Sequence, residues 1–231
     1  MMRTLQTLFF LFVVGLASPP VHAADAAIVD TAFVEAAITR GAILWDTRAP
    51  RAWRRGHLPG AVNIGAPTNV LRNDHDEDYV PLAKMEAILG EVGIDPAKEI
   101  VVYGDKASPP PYFALQTLRY LGAKKAFLYH GGVDDWLAAG KPLTADMPAI
   151  KPVTLKLSAD PSGFISTREV VEKAGAHSTQ IVDVRSPAEY RGEDIRAIRG
   201  GHIPGAVNIP FDENWKDAKA RRPAPNSRAR K

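Results

Sequence analysis

Two short segments of the chain place an aspartate and an arginine, with one residue between them, at the end of an apolar run. Asp46 and Arg48 follow the first run, and Asp183 and Arg185 follow the second. Short apolar runs bounded by turn residues are typical of buried strands in a parallel sheet. Open α/β sheets bind ligands beyond the carboxyl ends of such strands. The pairs therefore lie where a ligand site is expected, although an ion pair that only fixes a loop is an equal alternative.

A longer sequence phrase recurs after each of these pairs. RGHLPGAVNIG spans Arg55–Gly65, and GGHIPGAVNIP spans Gly200–Pro210. A repeat spaced by about 140 residues indicates duplicated domains rather than a solenoid. The second copy contains an eight-residue insertion within Arg191–Arg199. His57 and His202 recur inside the phrase, and we interpret them as hydrogen-bonding residues that fix the loop rather than as catalysts.

The first copy continues as a complete α/β unit. A helix at Thr31–Ile38 precedes its first strand, and Ser166 and Glu169 have the spacing of a capping box at the corresponding helix of the second copy. After the repeated phrase, the apolar pattern predicts a strand, a loop, a helix ended by Gly122, another strand and a final helix. The first strand is Ile100–Tyr103, the loop is Gly104–Pro111, and the second strand is Ala126–Tyr129. The first helix has its apolar residues at Ala114, Leu115, Leu118 and Leu121, and the final helix begins at Val133.

The composition restricts both the fold class and the chemistry. Of the 231 residues, 45% are hydrophobic and 24% are charged, which fits a folded protein of one or two domains. The sequence contains no cysteine, which excludes disulfides, thiolate metal sites and a cysteine nucleophile within it. Residues 216–231 carry a charge of +6, so the rest of the chain carries −3 of the net +3. Nucleic-acid binding by the body of the protein is therefore not predicted.

The first 23 residues have the pattern of a secretory signal peptide. Arg3 supplies the positive charge, the apolar run follows from Leu8 to Ala17, and Val21-His22-Ala23 places small or modest side chains before the predicted cleavage point. The apolar run is too short to cross about 30 Å of hydrocarbon as a helix. We therefore expect a periplasmic or secreted protein with no membrane anchor after cleavage.

The repeated motifs resemble those of a known family. The Asp-x-Arg pairs, the Gly-His-x-Pro-Gly-Ala-x-Asn-Ile phrase and the Gly-Gly-x-x-x-Trp segment ending at Trp136 are similar to the rhodanese domain. Two such domains after a signal peptide resemble the two-domain thiosulfate and mercaptopyruvate sulfurtransferases. The resemblance implies an α/β fold with a central parallel sheet flanked by helices, followed by a partial second copy. The predicted division is a signal peptide (1–23), first domain (24–145), linker (146–163), partial second domain (164–215) and basic tail (216–231).

The resemblance also implies a reaction. In this family a cysteine lies on a loop between a strand end and a helix N-terminus, where backbone N–H groups and the helix dipole stabilise its thiolate. The thiolate attacks the outer sulfur of thiosulfate or a similar donor, becomes a persulfide, and passes that sulfur to an acceptor such as cyanide or another thiol. Basic side chains around the pocket hold the anionic donor.

The sequence departs from the family pattern in both copies. In the first copy, Gly104 and Asp105 stand where the nucleophile is expected, and we interpret this loop as a decayed site in a scaffold domain. A new catalytic carboxylate at Asp105 is the minor alternative. In the second copy, only 22 residues follow Ile209, so the strand and loop that would carry the cysteine are absent. Arg185 and Arg191 remain as candidates for holding an anionic donor.

The basic tail and the partial second copy carry structural expectations. Residues 216–231 contain no large apolar side chain, and we predict that they are disordered. We interpret them as out-of-frame or otherwise terminated coding sequence, with a basic arm for anionic partners as the alternative. A half-domain leaves a sheet edge and an apolar face open. We therefore expect a folded first domain and a second region that is loosely packed, docked on the first, or paired with another chain.

Three functional hypotheses follow from the sequence. The first is an exported sulfurtransferase for thiosulfate or mercaptopyruvate. The 231-residue chain lacks the cysteine loop of such an enzyme and is expected to be inactive alone. The second is a non-catalytic rhodanese module that binds anions or a protein partner, and the third is a cysteine-independent enzyme that uses Asp105. No cofactor or metal is predicted, because we interpret the acidic segment Asn73–Asp78 as a solvated loop rather than a divalent-ion site. The oligomeric state stays open.

Overall fold

The computed structural model describes residues 27–73, 78–176, 179–196 and 198–214. The predicted signal peptide (1–23), the predicted basic tail (216–231) and residues 74–77 of the acidic segment lie outside the described residues. In the part of the chain that is described, no helix has both the length and the apolar character needed to cross a bilayer.

The first domain is built on a five-stranded parallel sheet. The strand order is β1-β5-β4-β2-β3, and every neighbouring pair runs parallel. This confirms the predicted fold class, an α/β arrangement with a central parallel sheet. The strands are β1 (Ile28–Val29), β2 (Ile43–Asp46), β3 (Val62–Asn63), β4 (Ile100–Tyr103) and β5 (Ala126–Tyr129). The strands β4 and β5 have the bounds that the apolar pattern predicts.

Helices cover both faces of this sheet, and the side chains of the central strands alternate between two apolar clusters. In β4, Ile100 and Val102 pack into one cluster, while Val101 and Tyr103 pack into the other. All four residues are buried, as expected for a parallel strand covered on both faces. The helices are α1 (Thr31–Thr39), α2 (Pro50–Arg55), α3 (Pro67–Val70), α4 (Leu82–Glu91), α5 (Pro110–Tyr120) and α6 (Gly132–Ala138).

The segment that connects the two copies, residues 140–165, packs along the first domain. Thr144 and His57 exchange two backbone hydrogen bonds of 2.9 Å, and the Val153 N–H donates to the Gly90 carbonyl at 2.9 Å. Leu155 and Leu157 pack against the core. A Cβ at Gly90 would lie 2.4 Å from the Val153 carbonyl oxygen, so the close approach of this segment requires a glycine on α4.

The second region contains fewer elements and buries far fewer side chains. Its two strands pair in parallel, and Val182 and Asp183 lie opposite Val207 and Asn208. Ala206 is the buried hydrophobic residue that this region contributes among the described residues. The described residues of this region are therefore sparsely packed, and docking on the first domain or pairing with another chain stays a prediction. The elements are α7 (Thr167–Ala176), β6 (Val182–Asp183), α8 (Pro187–Arg191), β7 (Val207–Asn208) and a 3-10 turn at Phe211–Asn214.

Candidate functional site

The Asp-x-Arg pair of the first copy forms a buried clamp at the carboxyl end of β2. The Arg48 guanidinium donates from Nε and Nη2 to both carboxylate oxygens of Asp46, with the shortest distance 2.6 Å. Its Nη2 also donates to the Gly56 carbonyl at 2.7 Å. Asp46 is fully buried, and the Arg48 side chain is 10% exposed. Burial opposes the charged guanidinium, but the hydrogen bonds and negative charge of Asp46 raise the pKa of Arg48 above its ordinary value.

Residues of the repeated phrase complete this clamp. Asn63 donates its side-chain amide to the carbonyls of Asp46 and Arg48, at 2.8 and 2.7 Å. His57 is buried, stacks on Trp53, and its Nδ1 lies 3.0 Å from the Trp53 carbonyl. A carbonyl only accepts hydrogen bonds, so Nδ1 carries the proton. His57 therefore fixes the loop, as the sequence interpretation expects.

The second copy repeats the clamp atom for atom. Arg185 donates from Nε and Nη2 to the Asp183 carboxylate, and its Nη2 donates to the Gly201 carbonyl at 2.7 Å. Asn208 donates to the carbonyls of Asp183 and Arg185, both at 2.9 Å. His202 stacks on the ring of Tyr190, and its Nδ1 lies 2.8 Å from the Tyr190 carbonyl. The loop-fixing alternative for the Asp-x-Arg pairs thus describes the geometry of both copies.

The two clamps differ in the solvent exposure of their arginine side chains. The Arg185 side chain is 44% exposed, against 10% for Arg48. The hydrogen bond from Arg185 lowers the pKa of Asp183 below its usual range. Arg185 is therefore held in one orientation by its partners and still faces solvent. Of the two proposed donor-binding arginines, it is the one at the carboxyl end of a strand.

Arg191, the other candidate, lies at the end of α8. It donates to both carboxylate oxygens of Glu193, at 2.8 and 2.9 Å, and is largely exposed. The structure does not bring it to the groove beside Arg185, whose lining includes Arg199 and His202 instead. Sequence reasoning did not single out Arg199, although its place one residue before the repeated phrase is a usable signal.

An open groove of about 590 Å³ runs beside β6. Its lining combines apolar side chains from β6 and the repeated phrase with two arginines, a histidine and Asp183. We call it the β6 groove, and its main residues are Val182, Val184, Arg185, Arg199, His202 and Ile203.

In the first copy, the backbone N–H groups of the loop after β4, where the family places its nucleophile, are bound by residues of the loop and of the β5–α6 segment. The Lys106 N–H donates to the carboxylate of Asp134 at 2.7 Å, and the Ser108 N–H and hydroxyl both donate to the Asp105 carbonyl. The Ala107 N–H donates to the His130 carbonyl at 3.3 Å. These are the backbone donors that would otherwise cradle an anion.

The helix that follows the loop also lacks anion-binding groups. Pro109, Pro110 and Pro111 form the N-cap and first helical positions of α5, and proline has no N–H. A helix N-terminus binds anions through those first N–H groups, so this one has lost three of them. The Asp105 position therefore lies in a loop built to stay closed, which favours the scaffold interpretation over a catalytic carboxylate.

Two features of this loop escaped the sequence interpretation. Asp134 and Asp135 lie in the first turn of α6, where Asp134 accepts from the Lys106 N–H and Asp135 accepts from the Lys106 ammonium group. Tyr112 and His130 approach across the loop, with 2.5 Å between the hydroxyl and Nδ1, and burial raises the pKa of Tyr112. The sequence did contain a signal for the contacts of Lys106, namely the two acids that follow β5. Because the carboxyl ends of parallel strands lie at the same edge of a sheet, acids after β5 are expected near the loop after β4. No group of three or more His, Asp or Glu in the described residues is placed to hold a metal ion.

The sequence matches one protein family along most of its length. Residues 30–139 and 166–229 match the family described as the rhodanese-like domain. The chain belongs to this family, and its two matched segments are the two copies identified from the sequence. The predicted family membership is confirmed.

Curated relatives carry names from sulfur metabolism. The chain is 33% identical over 183 residues to the thiosulfate sulfurtransferase of Azotobacter vinelandii, covering 78% of this chain and 67% of the relative. It is 30% identical to the thiosulfate sulfurtransferase of Pseudomonas aeruginosa, with the same coverage. It is 32% identical to the sulfur carrier protein TtuD of Thermus thermophilus, covering 68% of this chain and 59% of that protein. The chain therefore spans about three fifths to two thirds of these relatives' length.

Solved structures share the fold at lower identity. A 3-mercaptopyruvate sulfotransferase from Escherichia coli matches with a TM-score of 0.73 and 22% identity, over 83% of this chain and 78% of that one. The enzyme EanB matches with a TM-score of 0.70 and 20% identity, over 80% of this chain and 49% of that one. These matches confirm the rhodanese fold.

Proposed function

We propose that this chain is part of an exported sulfurtransferase that takes a sulfur atom from a small anionic donor, thiosulfate or 3-mercaptopyruvate. The observation that carries the proposal is the contrast between the copies. Both build the same Asp-Arg clamp, but only the second leaves its arginine facing a groove. In the first copy Arg48 is 10% exposed, and the loop after β4 is closed by Asp134 and three prolines. In this proposal the first domain is a scaffold, and the second copy binds the anionic sulfur donor.

The proposed reaction needs a group that these 231 residues do not contain. A thiolate attacks the outer sulfur of thiosulfate, a new S–S bond forms, and sulfite leaves with the electron pair of the broken bond. Cyanide then attacks the outer sulfur of the persulfide and releases the thiolate. The printed sequence has no cysteine, and no other side chain in it carries a transferable sulfur. The chain by itself therefore transfers no sulfur.

Export rests on the first residues alone. The charged start, the apolar run and the small residues before position 24 support a cleaved signal peptide. Expression of the full sequence in a Gram-negative host, followed by N-terminal sequencing of the periplasmic product, tests this. We expect a start at Ala24, and an uncleaved cytoplasmic product would overturn it.

The activity is tested with thiosulfate and cyanide. The purified chain is assayed beside a chimera in which residues after Ile209 are replaced by the corresponding part of the Azotobacter thiosulfate sulfurtransferase. We expect no thiocyanate from the chain and clear thiocyanate from the chimera. An Arg185→Gln chimera should raise KM for thiosulfate, whereas Arg191→Gln should change it less. Thiocyanate from the cysteine-free chain, after removal of contaminants by a second column, would overturn the reaction described above.

A second candidate function is a non-catalytic module that binds a partner. The absence of cysteine and the exposed apolar lining of the β6 groove favour it. The two candidate functions are distinguished by experiment, because the binding module predicts that a partner binds without any sulfur transfer.

A further inference from the structure

The helix α2 of the first domain carries three arginines on one face. Arg54 and Arg55 follow Arg51 by three and four positions, so Arg51 neighbours both of them on the helix surface. All three residues are exposed. In the described part of the chain, none of the three guanidinium groups has a hydrogen bond or an ion pair. The face therefore presents three positive charges without a partner.

The second copy shows which features of this helix the fold requires. Both α2 and α8 follow an Asp-Arg clamp and begin with a proline. In both helices an aromatic side chain stacks on the histidine of the repeated phrase. Ala188 takes the position of Arg51 in the second copy. Gly192, which ends α8, takes the position of Arg55. The clamp and the stacked pair therefore form without arginines at these two positions.

The third position is charged in both copies, but only the second copy neutralises it. Arg191 corresponds to Arg54, and it pairs with Glu193 at 2.8 Å. The helix α8 also begins with a capping box, whereas Ala49 gives α2 no side-chain cap. The helix α2 therefore lacks both the acid and the cap that stabilise its counterpart.

The arginines of α2 are placed against the electrostatics of their own helix. Like charges three or four positions apart repel each other. Arg54 and Arg55 lie in the last turn, where the helix dipole favours a positive charge. Arg51 is the second residue of α2, near the positive end of that dipole, where its charge is unfavourable. Arg51 therefore weakens the isolated helix, and a bound anion accounts for it better than helix stability does.

The chemistry of this face favours a segment rich in carboxylates. Outside residues 216–231 the chain has a net charge of −3, so α2 is a positive patch on an acidic body. A broad anionic surface such as a bilayer would also meet that acidic body and be repelled. The three arginines span about 6 Å along the helix, close to the spacing of about 7 Å between alternate side chains of an extended segment. A guanidinium can bind a carboxylate through two parallel hydrogen bonds.

We propose that Arg51, Arg54 and Arg55 form a docking site for an extended acidic segment of a separate polypeptide. We call this site the α2 arginine face. One carboxylate of the segment accepts paired hydrogen bonds from Arg51, and the next carboxylate on the same side accepts them from Arg54 or Arg55. Such contacts give specificity and fast association, and they weaken as salt is added. The proposal involves no sulfur chemistry and no residue of the clamps, so its failure leaves the proposed function standing.

The probe is a synthetic peptide, acetyl-GEEDEEG-amide, which is titrated into the isotope-labelled chain while its NMR spectrum is recorded. The basic residues 216–231 also attract anions, so the readout is the set of amides that shift rather than the total binding. We expect saturable shifts at the amides of residues 51–56. Raising the salt from about 50 to about 200 mM should weaken this binding severalfold.

Two triple variants remove the same charge from different places on the first domain. The first combines Arg51→Gln, Arg54→Gln and Arg55→Gln. We expect it to weaken binding at residues 51–56 about tenfold, and its urea midpoint should not fall, because repulsion within α2 is relieved. The matched control should weaken binding less than about twofold, because charges far from the peptide are screened. The control changes three exposed residues on separate elements, as Lys84→Gln, Lys98→Gln and Arg119→Gln.

Four results would overturn the proposal. Shifts confined to residues 216–231 would assign the peptide to the basic tail. Equal weakening by the two triple variants would assign the binding to net charge alone. A lower urea midpoint for the α2 variant, with unchanged peptide binding, would give the arginines a structural role. Cosedimentation with phosphatidylglycerol vesicles that only the α2 variant loses, without peptide shifts at residues 51–56, would assign the face to a lipid surface.

Discussion

Replacing Asp46 with asparagine tests whether the buried clamp holds the first domain together. The substitution keeps the shape of the side chain and removes the charge that balances Arg48, whose guanidinium is 10% exposed. Removing one member of a buried ion pair costs about 3–5 kcal/mol, because the remaining charge is left without compensation. Since the asparagine oxygen still accepts one hydrogen bond from Arg48, we expect the lower end of that range, about 3 kcal/mol.

The measurement is urea unfolding followed by tryptophan fluorescence, because Trp45 and Trp53 are buried in the first domain. The matched control is Glu35→Gln, which breaks the ion pair between Glu35 and Lys141 on the same domain. Both of those side chains are more than a third exposed, so the control should cost less than about 1 kcal/mol. Equal losses from the two variants, or a negligible loss from Asp46→Asn, would refute the clamp as a source of stability.

Three further substitutions have expected outcomes. Tyr103→Phe should cost about 1–3 kcal/mol at pH 7, because the buried amide that its hydroxyl accepts from loses its partner. Burial, and then the charge of Asp46, raise the pKa of Tyr103 well above its ordinary value of 10.0. Above pH 10 the Tyr103 hydroxyl therefore keeps its proton in the folded state and loses it in the unfolded state. The wild-type domain should therefore lose stability as the pH rises above 10, and urea midpoints should show a shallower loss for Tyr103→Phe. Asp105→Cys should give no thiocyanate above background in the thiosulfate assay, since the backbone donors of its loop are already bound and the following prolines have none; clear turnover would show that the loop is not closed. Gly90→Ala should speed proteolysis of residues 146–160, because its Cβ would lie 2.4 Å from the Val153 carbonyl oxygen. Gly175→Ala, whose Cβ would meet nothing within 4 Å, is the control, and equal cleavage of both variants would contradict this packing.

Local patterns were enough to predict most of the first domain and the start of one helix in the second region. The strands Ile100–Tyr103 and Ala126–Tyr129 were predicted with their observed bounds, since short apolar runs between turn residues leave little alternative in an α/β protein. The capping box at Ser166 is present, with the Glu169 carboxylate accepting from the Ser166 N–H at 2.8 Å. These features depend on residues a few positions apart.

Features that depend on distant residues were not predictable in the same way. The packing of residues 140–165 against α4 requires Gly90 to accept a backbone contact more than 60 positions away. The closure of the loop by Asp134 depends on the end of β5 lying beside the end of β4. The spacing within the sequence indicated which residues could form the clamp, but it could not show whether the arginine only fixes the loop or also faces a groove. The solvent exposure of the arginine side chain makes this distinction, and that exposure depends on the elements packed around the strand.

The central claim is that the first copy is closed to the anionic donor and the second copy meets it. An NMR titration of the labelled chain with thiosulfate tests this without any need for a cysteine. We predict chemical-shift changes at Arg185, Arg199 and His202, and none at Lys106, Ala107 or Ser108. Changes at the Lys106–Ser108 amides, with the second copy unaffected, would contradict the account.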